Sequence, residues 1–414
     1  MELMLIKKGR IMRKFLQKRI LKEKIMKKAF YVFTIVSMAM FTFSPVVVGA
    51  EICDGGCPED PSTNTETLST GFTRSEAGGE APIIKAKWEM LPEGEWNEEC
   101  DDCDNITGEL KADDSCEEGA QFWPTGEWGT NKTLYVCAIA TDPEGVDDIN
   151  AVYADIFYPE GIALGPGHDD YGCGEQHGYE IQLQELYKAH GIDLFCNKIR
   201  NWNNNLPTFN PDYNYEEICA EDGELQKETA RVYCKYTTLK WEDPAGDYRV
   251  QVHAVDKAGV DSERLMNYFR YLPLTAFEVD FDHVDYGNVK LNTHKIINGN
   301  LTWGDQVPSV RNVGNTRLNM TVWQDDMGLG QTTNGTTWWN VEWDGRVGSD
   351  GQWVVYDPFE TVTLDKTLEL SQMNEMDFSI LINKFPLDTG SAGFYSGDMT
   401  LGAEYENFLS CDSS

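Results

Sequence analysis

Alternation is the feature that most constrains this chain. In KTLYVCAIATDPEGV (132–146), Leu134, Val136, Ala138 and Ala140 alternate with Thr133, Tyr135, Cys137 and Ile139, and an Asp-Pro-Glu-Gly turn follows. Successive side chains of an extended strand point to opposite faces, so a period of two marks a strand buried on one side. INAVYADIFYPEG (149–161) repeats the pattern, and GDYRVQVHAVDKAG (246–259) sets Tyr248, Val250, Val252 and Ala254 on one face. Beyond residue 272 the same rhythm returns in Phe277, Val279 and Phe281, in Leu318, Met320 and Val322, and in Trp339, Val341 and Trp343. Helical periodicity is nearly absent from 273 to 405. Short alternating strands punctuated by turns predict an all-β chain built as sandwiches.

A length of 414 residues suits two or three domains at ~100–200 residues each. Residues 1–50 hold a basic lead and then a secretory signal: Lys27 and Lys28, an apolar run from Ala29 to Phe43, and Val48-Gly49-Ala50 for cleavage. That run falls short of the ~20 residues that span a bilayer, so the expectation is an exported chain with no membrane span after cleavage. Residues 51–80 are rich in Gly, Ser, Thr and acids, which reads as a flexible acidic linker. Domain one is expected over 81–272 and a second sandwich over 273–414.

Several of these strands resemble those of prokaryotic immunoglobulin-like surface modules. The resemblance rests on Gly246-x-Tyr248-x-Val250-x-Val252-x-Ala254-x-Asp256-x-x-Gly259, a common closing strand of such modules. PSVRNVGNTRLNMTVWQDDMG (308–328) and GFYSGDMTLGAEY (393–405) are similarly close to secreted β-sandwich modules. The fold it implies is two immunoglobulin-like β-sandwich domains. One internal echo stands out: ATDPEGVDD (140–148) and AVDKAGVDS (254–262) share Ala-x-Asp-x-x-Gly-Val-Asp.

Between Pro159 and Lys227 the first domain carries an insertion far beyond the usual loop of ~4–6 residues. Within it, at about 160–227, YEIQLQELYKAHG (179–191) reads as a helix ending at Gly191, and Asp193 as the N-cap of another. All eleven cysteines follow the signal, so in an exported protein they read as disulfides with at least one left over. Cys173, Cys196, Cys219 and Cys234 are the expected staples of the small helical insertion. The tetrapeptide Cys173-Gly174-Glu175-Gln176 also resembles the thioester motif of the α2-macroglobulin and complement family. That family holds the motif in a large helical domain, which this insertion is too small to supply, so Cys173 reads as a staple. His168, Asp170, Glu175 and His177 beside it offer nitrogen and oxygen ligands without a recognised metal-site spacing.

The formal charge of −35 understates the exported part, because residues 1–50 carry eleven Lys or Arg and only two acids. An acidic surface of this size disfavours nucleic acid and favours divalent cations. Calcium is the one cofactor expected, with Asp142, Asp147 and Asp148 as first ligands, since Ca²⁺ gathers carboxylate and carbonyl oxygens in such turns. Trp323 and Trp338 are expected to face outward, where indole rings could stack on glycans. Asn105, Asn131, Asn300, Asn319 and Asn334 head glycosylation sequons. No phosphate loop and no Gly-x-Ser-x-Gly occurs. The sequence therefore points to a secreted, cell-surface structural or adhesive protein that self-associates or meets other surface proteins or glycans. A carbohydrate-binding protein and a secreted hydrolase are the alternatives.

Overall fold

A computed structural model describes residues 79–92, 120–162, 177–202, 204–329, 340–385 and 393–408. The signal segment, Cys53, Cys57, Cys100, Cys103, Cys116, Cys173 and Cys411, Asn105 and Asn334, and Trp338 and Trp339 lie outside those residues.

The described chain is all-β, two sandwiches with short helices confined to the first. Domain one uses β1 (Ile83–Met90), β2 (Gln121–Phe122), β3 (Lys132–Thr141), β4 (Ile149–Phe157), β5 (His177–Glu185), β6 (Thr208–Phe209), β7 (Arg231–Leu239), β8 (Gly246–Asp256) and β9 (Leu265–Tyr271). They hydrogen-bond in the order β2-β9-β8-β4-β5-β7-β3-β1-β6. The chain of pairings folds into two layers because β5 changes partner along its length. Its residues 177–183 pair with β4, and Gln184 and Glu185 pair with Cys234 and Tyr233 of β7. Strands that switch sheets make the corners of such sandwiches.

This strand corrects the helix expected over 179–191. HGYEIQLQELY supports both readings, since Tyr179, Ile181 and Leu183 have a period of two while Leu183, Leu186 and Tyr187 fall at helical spacing. Tertiary pairing decides. Leu183 is buried, Tyr179 and Ile181 pack on the same core, and the Tyr179 hydroxyl donates to the buried Asp243 carboxylate, which also accepts from Tyr158 (3.1 Å). Helix begins only at Lys188–Ile192 and runs on through a π-wound turn, Asp193–Ile199, into Arg200–Trp202. Asp193 therefore lies inside a continuous helical stretch and is not an N-cap. Gly191 does not stop it either; it lies inside, where an added Cβ would meet Val232 at 3.0 Å.

The insertion owns no core of its own. Leu194, Phe195, Ile199, Leu206, Ile218 and Leu225 join the sandwich's single cluster, and Phe195 lies 5.0 Å from both Trp88 of β1 and Tyr215. Cys196 is bonded to Cys219. Cys234 is not part of the insertion's stapling: it bonds Cys137, its direct neighbour across β3 and β7, with Cα atoms 4.2 Å apart.

Domain two contains β10 (Phe277–Val279), β11 (Lys295–Ile297), β12 (Ser309–Asn312), β13 (Arg317–Gln324), β14 (Val341–Val347), β15 (Val354–Tyr356), β16 (Thr361–Leu368), β17 (Met373–Ile382) and β18 (Met399–Glu406). One sheet runs β10-β12-β17-β14-β15, with β11 also paired to β17, and the facing sheet is β16-β13-β18. Alternation sets the inner faces: Leu318, Met320 and Val322 are fully buried against Val341, Trp343, Phe378 and Ile380.

Candidate functional site

An acidic pole of domain one and the joint between the sandwiches carry geometry beyond packing.

At the acidic pole, β3 ends and the chain crosses to the other sheet through a single 3-10 turn, Val146–Asp148. Asp142 closes that strand and accepts from the Glu144 amide through Oδ1 (2.8 Å). Asp256, at the equivalent position of the echoed segment, closes β8 and accepts from the Val260 amide through Oδ1 (2.7 Å). Although the side-chain contacts differ, both Ala-x-Asp-x-x-Gly segments turn through the same backbone bond, from the Gly amide to the Asp carbonyl, at 2.9 Å for Gly145 and 3.2 Å for Gly259. Asp142 is 5% exposed and Asp256 1% exposed, and the remaining Oδ2 of each has no hydrogen-bond partner. Asp148 joins them, each of the three offering one carboxylate oxygen within 4.8 Å of the others. Burial, with the Glu144 and Asp148 carboxylates adding to it, holds the Asp142 carboxyl above its ordinary range. The Glu144 carboxylate also accepts from the Glu80 amide, at 3.1 and 3.2 Å.

Asp147, expected among the ligands, turns elsewhere. Its carboxylate takes the Arg231 guanidinium at 2.6 Å and its carbonyl accepts from Lys257. Asp256 stands in the place expected for it. The echo was the sequence signal for Asp256, but only the fold brings the two copies together. Buried carboxylate oxygens without donors, from turns on two sheets, suit a hard cation that takes oxygen ligands.

The joint is built on the turn Asn312–Thr316. Asn315 is fully buried; its Oδ1 accepts from the Leu274 amide (2.8 Å) and its Nδ2 donates to the Leu272 carbonyl (3.0 Å). Its backbone carbonyl accepts from the Ala245 amide of domain one (2.9 Å), and its backbone amide donates to Leu274 (3.2 Å). Gly314 lies so close that an added Cβ would stand 2.0 Å from the Leu274 carbonyl oxygen. Arg311 completes the contact, its guanidinium 4.9 Å from the Trp128 ring of domain one and 3.7 Å from the Trp303 ring.

Other expected sites are placed as follows. Trp323 is half-buried with its ring 6.3 Å from Phe359. Asn319 is held across strands, donating to Glu406 (3.0 Å) and accepting from Thr367 (2.7 Å). Asn131 accepts from the Trp241 amide (3.1 Å), and Asn300 donates to Asp305 (2.7 Å). His177 lies 3.2 Å from Asp155. One Ser-His-Asp grouping does form: Ser379 Oγ and Asp344 Oδ2 each lie 3.1 Å from His294 Nδ1. Both meet the same ring nitrogen, whereas a hydrolytic triad needs serine and carboxylate on opposite nitrogens. Ser379 is also only 2% exposed.

No family model matches the chain, and no curated protein sequence matches it. Among solved structures it is similar to the C-terminal domain of the Streptococcus pyogenes antigen I/II-family protein AspA, at 13% identity over 77% of this chain and 95% of that one, with a TM-score of 0.20. The Streptococcus agalactiae antigen I/II polypeptide BspA C-terminal domain matches at 12% identity over 78% and 96%, with a TM-score of 0.18. A biofilm-associated protein domain matches at 10% identity over 78% and 52%, with a TM-score of 0.14. Overlaps of that size fix neither fold nor function.

Proposed function

We propose that this is an exported cell-surface protein with a structural or adhesive role, a component of a surface layer, a filament or an adhesin. The observation that carries this reading is the joint. Two sandwiches are coupled through the backbone hydrogen bond from Ala245 to Asn315 and through the fully buried Asn315 side chain, with only residues 272–276 between β9 and β10. Such a coupling transmits load from one domain to the next, whereas the usual default between domains is relative motion. The outer strands β16 and β18 of the three-stranded sheet, eight residues each, offer backbone for strand addition by another copy. Among the described residues no helix is long and apolar enough to cross a membrane.

Calcium at Asp142, Asp148 and Asp256 belongs to the same reading: it would clamp the ends of both sheets of domain one at the pole where they converge. The test is to purify the chain from residue 51 onward, with and without Ca²⁺, and follow assembly by light scattering and electron microscopy. Ordered multimers are the expected result. A strictly monomeric particle under both conditions refutes the surface-layer and filament forms.

A further inference from the structure

Domain one buries a charged cluster that neither packing nor the joint explains. β1 reads IIKAKWEM, and alternation carries Lys87 and Glu89 onto the inward face, where both are fully buried. The partner comes from the far end of the domain: Asn267 on β9, 7% exposed. Lys87 Nζ donates to Glu89 Oε1 (2.7 Å), to the Val250 carbonyl (3.2 Å) and to Asn267 Oδ1. Asn267 Nδ2 in turn donates to Glu89 Oε2 (2.7 Å). One carboxylate therefore touches both an amine and the nitrogen of a side-chain amide, while the amine sits against that amide's oxygen.

We propose that Lys87 and Asn267 become joined by an intramolecular isopeptide bond, formed by the chain itself with Glu89 as the proton-transferring catalytic residue. Three requirements of that chemistry are met. The nucleophile must be a neutral amine, and burial pulls Lys87 below the ordinary lysine range, against the opposing pull of Glu89. The reacting groups must be held together: Nζ is hydrogen-bonded to Oδ1, the oxygen carried by Asn267 Cγ, a placement that replaces an encounter in solution. A proton must leave the amine and reach the departing nitrogen, and the two oxygens of Glu89 face those two atoms.

The step balances without any other reactant. A proton passes from Lys87 Nζ to Glu89, leaving an amine and a carboxylic acid. Nζ adds to Cγ of Asn267 as the carbonyl electron pair moves onto Oδ1. Glu89 receives a proton from Nζ through Oε1 and delivers one to Nδ2 through Oε2. The Cγ–Nδ2 bond then breaks, ammonia departs with that electron pair, and the carbonyl re-forms as a secondary amide. Nothing is oxidised or reduced.

The bond would tie β1 to β9, the first and last long strands of domain one, which lie in different layers, β1 paired to β3 and β9 to β8. It would do covalently, along the line of the chain, what Asn315 does by hydrogen bonds at the joint. The inference stands on the core of domain one alone and holds whether or not the protein acts at a cell surface.

The test is intact mass of the purified, reduced and denatured chain, followed by tandem mass spectrometry of a tryptic digest. The expected result is a deficit of one ammonia, a branched peptide joining the segments that hold Lys87 and Asn267, and no tryptic cut after Lys87. A thioester at Cys173 and Gln176 would show the same deficit, so the sample is first treated with methylamine, which releases a thioester and leaves an isopeptide intact. Glu89→Gln, checked for folding by circular dichroism, should lose the deficit and the branched peptide together. Lys87→Met, which removes the nucleophile while keeping an unbranched chain, should also lose both. A parent protein at full mass that is cut after Lys87 overturns the proposal, as does a folded Glu89→Gln variant that still carries the branched peptide.

Discussion

Replacing Asn315 by alanine should loosen the joint without unravelling either sandwich. The side chain makes two hydrogen bonds, from the Leu274 amide at 2.8 Å and to the Leu272 carbonyl at 3.0 Å, and it is fully buried. Alanine leaves both backbone groups without their partner, and each buried unsatisfied group costs about 1–3 kcal/mol. The expected destabilisation is therefore about 2–6 kcal/mol, the lower end applying if water enters the space. Hydrogen exchange read by mass spectrometry is the suitable assay because it resolves segments. Peptides covering 272–276 and 312–317 should lose protection, while those from β4 and β17 in the two cores keep it. Asn315→Asp should be no milder, since it keeps the acceptor for Leu274 but buries a charge where Leu272 needs a donor. An Asn315→Ala protein with unchanged exchange across 272–276, and a stability within about 0.5 kcal/mol of the parent, would refute the reasoning.

Four further outcomes are expected. Gly314→Ala should destabilise the same joint, because its Cβ would meet the Leu274 carbonyl at 2.0 Å and backbone must give way; a thermal midpoint equal to the parent's argues against that contact. Ca²⁺ should raise the thermal midpoint of the mature chain, by about 2.7 kcal/mol of stability at a hundred-fold excess over Kd, and Asp256→Asn should abolish the rise. In metal-free protein the Asp142 carboxyl is held above its ordinary range, so the folded state binds its proton more tightly than the unfolded state. Its contribution to stability then falls as pH rises through that raised value and recovers on acidification; with Ca²⁺ bound the trend reverses, which pH-scanned melts would read directly. Leu183→Ala should cost about 2–5 kcal/mol by chemical denaturation, the price of a cavity under a buried strand, whereas a surface helix would tolerate it.

Much of the fold was legible locally. Strand alternation is a property of neighbouring residues, so β3, β4, β8 and β13 could be read from their own letters, as could the all-β class. β5 was not, because HGYEIQLQELY satisfies two periodicities and the pairing of His177–Glu185 with β4 and β7 chooses between them. The disulfides divide the same way. Cysteine count showed that bridges were to be expected, but Cys137 and Cys234 meet only because β3 and β7 are neighbours in register.

The candidate sites show the limit most clearly. Acidic turns after β3 were visible, and so was their echo after β8, yet nothing in the letters says that Asp142, Asp148 and Asp256 share one pole while Asp147 faces Arg231. The same holds for Lys87, Glu89 and Asn267. In IIKAKWEM alternation sets Lys85, Lys87 and Glu89 opposite Ile84, Ala86, Trp88 and Met90, which by itself reads as a solvent face; the structure buries both faces of β1, and a buried charge without a partner is costly. Which residue answers that demand depends on how far β9 travels before it returns beneath β1. The sequence by itself determined most of the strands and their turns, because these follow from near neighbours. Only the tertiary structure decided which polar groups are buried and who their partners are, because sheet pairing and sandwich closure bring together residues far apart along the chain.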